Sequence, residues 1–343
     1  MISLKRNTNK ELVPATGKRS RSSSIYSTNQ SEPYKVSRSK FNDFLTCQRC
    51  FYLDRVKGLV SPTTPGWTLN ETTDLLLKKE FDLCREQQLP HRICEQYNLN
   101  HIVPFKHEDM DKWRDALHHG LEIQFKDTNI ILSGGVDDIW IDTKTNELII
   151  VDYKSQAKTN PVNTEEYLSD AYHEGYKIQM DFYSYLLNEM NIGHSVAPIS
   201  YFYVCNADRN ASSFDSKLVF EETLVPYEWN SDWIEAKVLE MIDLLNSEEL
   251  PEPNLSCENC AYAHQRTINE KKSGKENKSK KNCPKCGSNK VIPIVYGDID
   301  GSPEVMKQIK NNEISVGGCL IEEDSPKWEC RECKNQFGKV NMY

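Results

Sequence analysis

The sequence predicts an α/β fold with a small, cysteine-rich β appendage, and three observations predict it. Short runs rich in Ile, Val, Leu and aromatic residues recur through the middle of the chain at strand length. Longer stretches at 174–190 and 229–246 carry apolar residues at helical spacing. Near the C-terminus, two Cys-x-x-Cys pairs bracket two further strand-like runs. With 343 residues the chain is long enough for one sizeable core plus an appendage.

Taken in order, residues 1–33 are rich in Ser, Arg, Lys, Asn and Thr with little apolar periodicity, which reads as a disordered basic arm. A helix is expected over 72–87. The run Ile130-Ile131-Leu132-Ser133 then leads through Gly134-Gly135-Val136-Asp137-Asp138 into Ile139-Trp140-Ile141, and Leu148-Ile149-Ile150-Val151 leads into Asp152-Tyr153-Lys154. The polar stretch 142–147 between them is turn-prone, so the pair reads as an antiparallel hairpin. In the helix over 174–190, Ile178, Phe182, Tyr185 and Leu186 form an apolar side for the sheet, while Gln179 and Tyr183 share an adjacent face. Strands over 198–205 and 217–220 and a closing helix over 229–246 complete the core. There is no internal repeat and no glycine-rich nucleotide loop.

Charges inside such apolar strands need a reason. Residues two apart on a strand point to the same face about 6.5–7 Å from each other, so Asp152 and Lys154 project together while Tyr153 faces away. Asp137 reaches the same patch, and Asp138 faces the opposite side, in a structural role or in support of the site from behind. Two carboxylates beside one lysine suit an oxygen-seeking divalent ion such as Mg²⁺ or Mn²⁺, with the ammonium left for a water or a phosphate. Taken alone, the same residues also fit a buried Asp–Lys ion pair.

The order of these parts resembles the RecB-like branch of the PD-(D/E)XK nuclease superfamily: a Gly-x-(Ile/Val)-Asp strand, an Asp-x-Lys strand, then a helix with Gln-x-x-x-Tyr. The resemblance covers residues 34–266. It implies a restriction-endonuclease-like core over 34–268, a central mixed sheet flanked by helices. It implies that Asp137 and Asp152 are metal carboxylates, helped by the Tyr153 backbone carbonyl, that Lys154 is the catalytic lysine, and that Gln179 and Tyr183 are additional site positions. The family also places an acidic residue or a histidine on an early helix. Glu80 is the candidate here, although it could equally be a solvated partner of Lys78 or Lys79. The implied activity is Mg²⁺- or Mn²⁺-dependent hydrolysis of DNA. The alternative is a noncatalytic scaffold that uses the same fold to bind nucleic acid or protein.

The twelve cysteines form a second line of evidence. The N-terminus has no apolar signal core and no run is long enough to span a membrane, so a cytoplasmic, reducing setting is expected, where paired cysteines read as metal ligands. Cys283, Cys286, Cys330 and Cys333 form two knuckles that can close a tetrahedral structural Zn²⁺ site. Residues 283–343 therefore resemble a zinc ribbon, a module that can also carry a protein partner, with Cys319 a non-ligating buried residue. A second quartet, Cys47 and Cys50 with Cys257 and Cys260, flanks the core. Some RecB-like nucleases join cysteines from both ends of the domain on one iron–sulfur cluster, usually one early and three late. The two-and-two pattern here leaves a [4Fe–4S] cluster, a second Zn²⁺ or no metal open. Residues 269–282, with six lysines against two glutamates, read as a flexible linker. The net charge of −9 argues against tight nonspecific nucleic-acid binding by the whole surface, but not against a local basic site.

Overall fold

The computed structural model describes residues 4–62, 66–276, 282–297, 302–318, 322 and 325–340. They divide into two compact units, Met1–Cys260 and Ala261–Tyr343. In the first unit, β1 (Tyr34–Ser37) leads into α1 (Arg38–Thr46), α2 (Gln48–Arg55), the long α3 (Thr68–Gln87) and a short α4 (Arg92–Gln96). Next come β2 (Ile102–Pro104), α5 (Met110–Arg114), β3 (Leu121–Gln124), β4 (Ile130–Gly134), β5 (Asp138–Asp142) and β6 (Glu147–Gln156). The unit is completed by α6 (Thr164–Ser169), α7 (Glu174–Met190), β7 (Ile199–Ala207), β8 (Phe220–Glu228) and α8 (Ile234–Leu245); α9 (Glu258–Glu276) runs across the boundary.

The central sheet has the order β2-β5-β6-β7-β8 and is mixed, because β6 and β7 are parallel while the other neighbours are antiparallel. The β5–β6 hairpin has the antiparallel pairing expected of it, with Asp138 opposite Val151. One expectation is corrected: the apolar stretch around the glycines is two strands rather than one. β4 pairs with β1 and β3 in a separate three-stranded sheet, and the chain crosses to the central sheet at Gly135-Val136-Asp137. Asp137 therefore lies in the crossing, immediately before β5.

Alternation along β5 and β6 divides the core between the two faces of the sheet. On one face Ile139, Leu148, Ile150, Phe202 and Val204 pack with Phe41 and Phe44 of α1, Phe182 and Leu186 of α7, and Val238 and Met241 of α8. Each fully buried Leu or Phe of this set contributes about 1.5–3 kcal/mol relative to exposure. On the other face Trp140, Val151, Tyr153 and Tyr203 meet Leu77 and Phe81 of α3. Phe81 stacks on Trp140 with centroids 5.1 Å apart and on Tyr153 at 5.6 Å, which fixes α3 against the sheet. α7 ends at Asn191, whose left-handed φ of 47° closes the last turn, a conformation asparagine tolerates well.

Three further expectations are corrected. The arm is not disordered throughout: Tyr26 is buried, its ring lies edge-on to Tyr34 and its hydroxyl bonds Asn246, while Arg19 pairs with Asp54. The last strand of the sheet begins at Phe220, where the apolar run 217–220 ends. The lysine-rich stretch read as a linker from 269 is helical up to Glu276, since its Glu and Lys residues favour helix and it has no proline.

The second unit has a four-stranded sheet, order β10-β9-β11-β12, formed by β9 (Val291–Val295), β10 (Ser315–Val316), β11 (Pro326–Cys330) and β12 (Gln336–Lys339). A short helix, α10 (Pro303–Lys310), is capped by the Ser302 hydroxyl. Cys319 lies outside the described residues. No described helix is long and apolar enough to cross a membrane.

Candidate active site and thiolate quartets

The carboxylates, the lysine and the α7 pair gather at the end of β6. Asp152 is fully buried; Gln179 Nε2 donates to its Oδ1 at 2.5 Å and the Lys154 ammonium pairs with its Oδ2. Gln179 also reaches the Tyr183 hydroxyl at 3.3 Å, so the Gln-x-x-x-Tyr spacing acts as one relay on one helix face. The Asp137 carboxylate reaches Asp152, and its Oδ2 accepts the Tyr153 backbone N–H at 2.8 Å. Burial pushes the Asp152 carboxyl up to about 7, with Lys154 opposing the rise and Asp137 adding to it. Burial works against the Lys154 ammonium as well, yet Asp152 and Asp137 outweigh it and hold its pKa above the ordinary lysine value. The same ammonium lies 4.6 Å from the centre of the Tyr176 ring.

Asp138 and Tyr153 point the other way. Asp138 is fully buried and takes Arg85 Nη2 at 2.5 Å and Arg114 Nη2 at 2.9 Å on Oδ1, while the Tyr153 hydroxyl donates to Oδ2 at 2.9 Å. Two arginines and one carboxylate thus join α3 and α5 to the sheet behind the site.

Glu80 does not join this group. It pairs with Arg92 at 3.0 Å and with His91 at 3.1 Å, in a cluster completed by Glu222. The acidic side chain that α3 presents to the site is Asp74, six residues earlier and about 120° round the helix. Lys78, one turn on, donates to Asp74 Oδ2 at 2.9 Å and stands 3.7 Å from Asp137 Oδ1. Burial and the Asp137 charge raise the Asp74 pKa, with Lys78 opposing. A sequence signal existed: Asp74 stands at i, i+3, i+7 and i+11 with Leu77, Phe81 and Arg85, the buried residues of α3. Arg38, at the start of α1, is a second residue the motifs do not reveal; it hydrogen-bonds the Tyr183 hydroxyl.

Gly134 and Gly135 are required for close approach. A Cβ on Gly134 would meet Tyr183 Cε1 at 2.4 Å, and one on Gly135 would meet Ala116 Cβ at 2.5 Å. The site therefore closes only if the crossing strand carries no side chains there.

The donor set fits a hard divalent cation. Asp74 Oδ1 is buried with no hydrogen-bond partner, Asp74 and Asp137 share the Lys78 ammonium, and Asp137 in turn reaches Asp152 and its Lys154 partner. Oxygen donors of this type suit Mg²⁺ or Mn²⁺ and not a soft metal.

Both cysteine quartets converge. Cys47, Cys50, Cys257 and Cys260 place all four sulfurs within 4.8 Å of one another, as do Cys283, Cys286, Cys330 and Cys333. In the second unit Cys283 and Cys333 are 3.5 Å apart and Cys286 and Cys330 3.6 Å, on knuckles at the ends of a β sheet, the make-up of a zinc ribbon.

The PD-(D/E)XK nuclease superfamily profile matches residues 35–265, about two-thirds of the chain. The chain belongs to the PD-(D/E)XK nuclease superfamily. Among solved structures, a "putative exonuclease" from Eubacterium rectale is similar at 13% identity over 66% of this chain and 87% of that one, with a TM-score of 0.36. No curated protein matches the chain. Within this PD-(D/E)XK domain, the matched span includes Asp74, Asp137, Asp152, Lys154, Gln179 and Tyr183 as well as both cysteine pairs of the first quartet.

Proposed function

We propose that the protein is a RecB-like, metal-dependent nuclease that hydrolyses phosphodiester bonds of DNA, in a cytoplasmic setting that keeps its cysteines reduced. The observation that carries this reading is the convergence of Asp137, Asp152, Lys154, Gln179 and Tyr183 on one side of β6, with Asp152 contacting Asp137, Lys154 and Gln179, and Gln179 contacting Tyr183. Asp137 and Asp152 would hold Mg²⁺ or Mn²⁺ with the Tyr153 carbonyl, and Asp74 takes the place first given to Glu80. A bound divalent ion supplies a more acidic water and offsets phosphate charge. Lys154 orients that water or neutralises a phosphoryl oxygen as a point charge. Gln179 keeps Asp152 in one rotamer, and Arg38 with Tyr183 offers a further cationic contact for a phosphate.

A noncatalytic scaffold would not need a complete set of carboxylates, lysine and glutamine in mutual contact. Cleavage of single- and double-stranded DNA with Mn²⁺ tests the reading beside Asp152→Ala and Lys154→Ala. Loss of at least a hundredfold in rate in both variants is expected. Equal behaviour of all three proteins would sink it.

A further inference from the structure

The resemblance to RecB-like nucleases brings with it an iron–sulfur staple, and the sulfurs of the first quartet do not fit one. Each iron of a [4Fe–4S] cube takes its own thiolate, pointing away from its corner, so the four sulfurs must stand about 6 Å apart. In a [2Fe–2S] centre, sulfurs on different irons are separated to a similar extent. Here Cys47 and Cys260 are 3.8 Å apart, Cys50 and Cys257 3.5 Å, and Cys50 and Cys260 3.4 Å, with all four inside 4.8 Å. Four thiolates at about 2.3 Å from one central ion form a tetrahedron whose edges are about 3.8 Å.

We infer that Cys47, Cys50, Cys257 and Cys260 hold a single Zn²⁺ in a closed tetrahedral site that staples the two ends of the nuclease domain. The two-and-two spacing agrees with the geometry, because each Cys-x-x-Cys supplies one edge of the tetrahedron from one helix start. Cys47 is the residue before α2 and Cys50 lies in its first turn; Cys257 precedes α9 and Cys260 lies in its first turn. The surroundings are built around the cluster: Asn254 Nδ2 donates to the Thr46 carbonyl at 2.8 Å, and the Tyr52 hydroxyl donates to the Ser247 carbonyl at 2.9 Å. The sulfur spacing also matches that of the ribbon quartet, where the nearest pairs are 3.5 and 3.6 Å apart. A closed zinc site has no redox chemistry and no open position, so this staple is structural. It bears on the catalytic centre only by fixing α1 and α2, and α1 begins with Arg38.

Metal analysis of the full chain purified without oxygen tests the inference, with absorption spectra to detect iron. Two zinc ions per chain, no iron and no visible band are expected. Cys330→Ser, which disables the ribbon, should retain one zinc, and Cys257→Ser with Cys260→Ser should lose one. If the double variant does not fold, the zinc retained by Cys330→Ser still identifies the staple. Four irons with a brown colour, one iron with a thiolate charge-transfer band, or a Cys330→Ser protein free of metal would each overturn it.

Discussion

At the scale of single residues, the adjacent pair Asp137 and Asp138 shows how one step along the chain changes a carboxylate's work. Asp138 is buried with two arginines, and removing it leaves both with only the half-exposed Asp82 as an ionic partner. Asp138→Ala is therefore expected to cost about 3–5 kcal/mol in urea unfolding. Asp137→Ala should leave stability within about 1 kcal/mol, because its partners are a backbone N–H, an ammonium already shared with Asp74 and the like-charged Asp152, yet abolish cleavage. The same contrast holds on α3. Asp74→Asn should weaken Mn²⁺ binding at least about tenfold, read by calorimetric titration, whereas Glu80→Gln should leave it unchanged. The pH dependence follows from Asp152, whose carboxyl burial pushes up to about 7. A raised carboxyl pKa means the protonated form dominates below it, and a metal must displace that proton. Cleavage at fixed, subsaturating Mn²⁺ should rise with pH through about 7, and added Mn²⁺ should restore activity on the acid side. A flat profile from pH 6 to 8, roughly a unit either side of that pKa, would remove Asp152 as a ligand.

At the scale of elements, the sequence revealed what periodicity controls and missed what tertiary contacts control. The bounds expected for α7 are the ones found, since its apolar residues recur without interruption and His173 and Asn191 flank it. The hairpin of β5 and β6 was equally plain, as was the division of Asp152 from Tyr153. β8 was misplaced because it is an edge strand: the sequence from Phe220 to Glu228 is half charged or polar and contains Pro226, which an edge tolerates and a central strand does not. The change of sheet at Gly135 carries no signal in hydrophobicity, because strands on both sides of it are apolar. What marks it is the glycine pair itself, and this yields a prediction. Gly134→Ala would push the Tyr183 ring off its position, costing about 1–3 kcal/mol of stability. The loss of cleavage should exceed that of Tyr183→Phe, which keeps the ring and removes only the hydroxyl. Similar rates in the two variants would mean that the Gly134–Tyr183 contact is packing alone.

At the scale of the whole molecule, the two units are stabilised by different means. The first has apolar clusters on both faces of a five-stranded sheet. Among the described residues of the second, the buried hydrophobic set is Cys283, Ile292, Ile294 and Cys330, and two of these four are candidate ligands. So little apolar area cannot offset the conformational entropy of ordering the chain, and domains this thinly packed depend on a metal or a disulfide. Metal binding is then folding free energy for the ribbon, of a size that Cys→Ser replacement of one ligand largely removes. Cys330→Ser should accordingly lose the protection of the β9 and β11 strands against limited proteolysis and their amide signals, while leaving DNA cleavage within about twofold of wild type. Because the apolar clusters of the first unit are made of its own residues, calorimetry should show the transition of the nuclease domain retained. Loss of cleavage together with that transition would instead mean that the ribbon's fold is a condition for the first unit's stability, and that its thiolates serve the active site through the rest of the molecule.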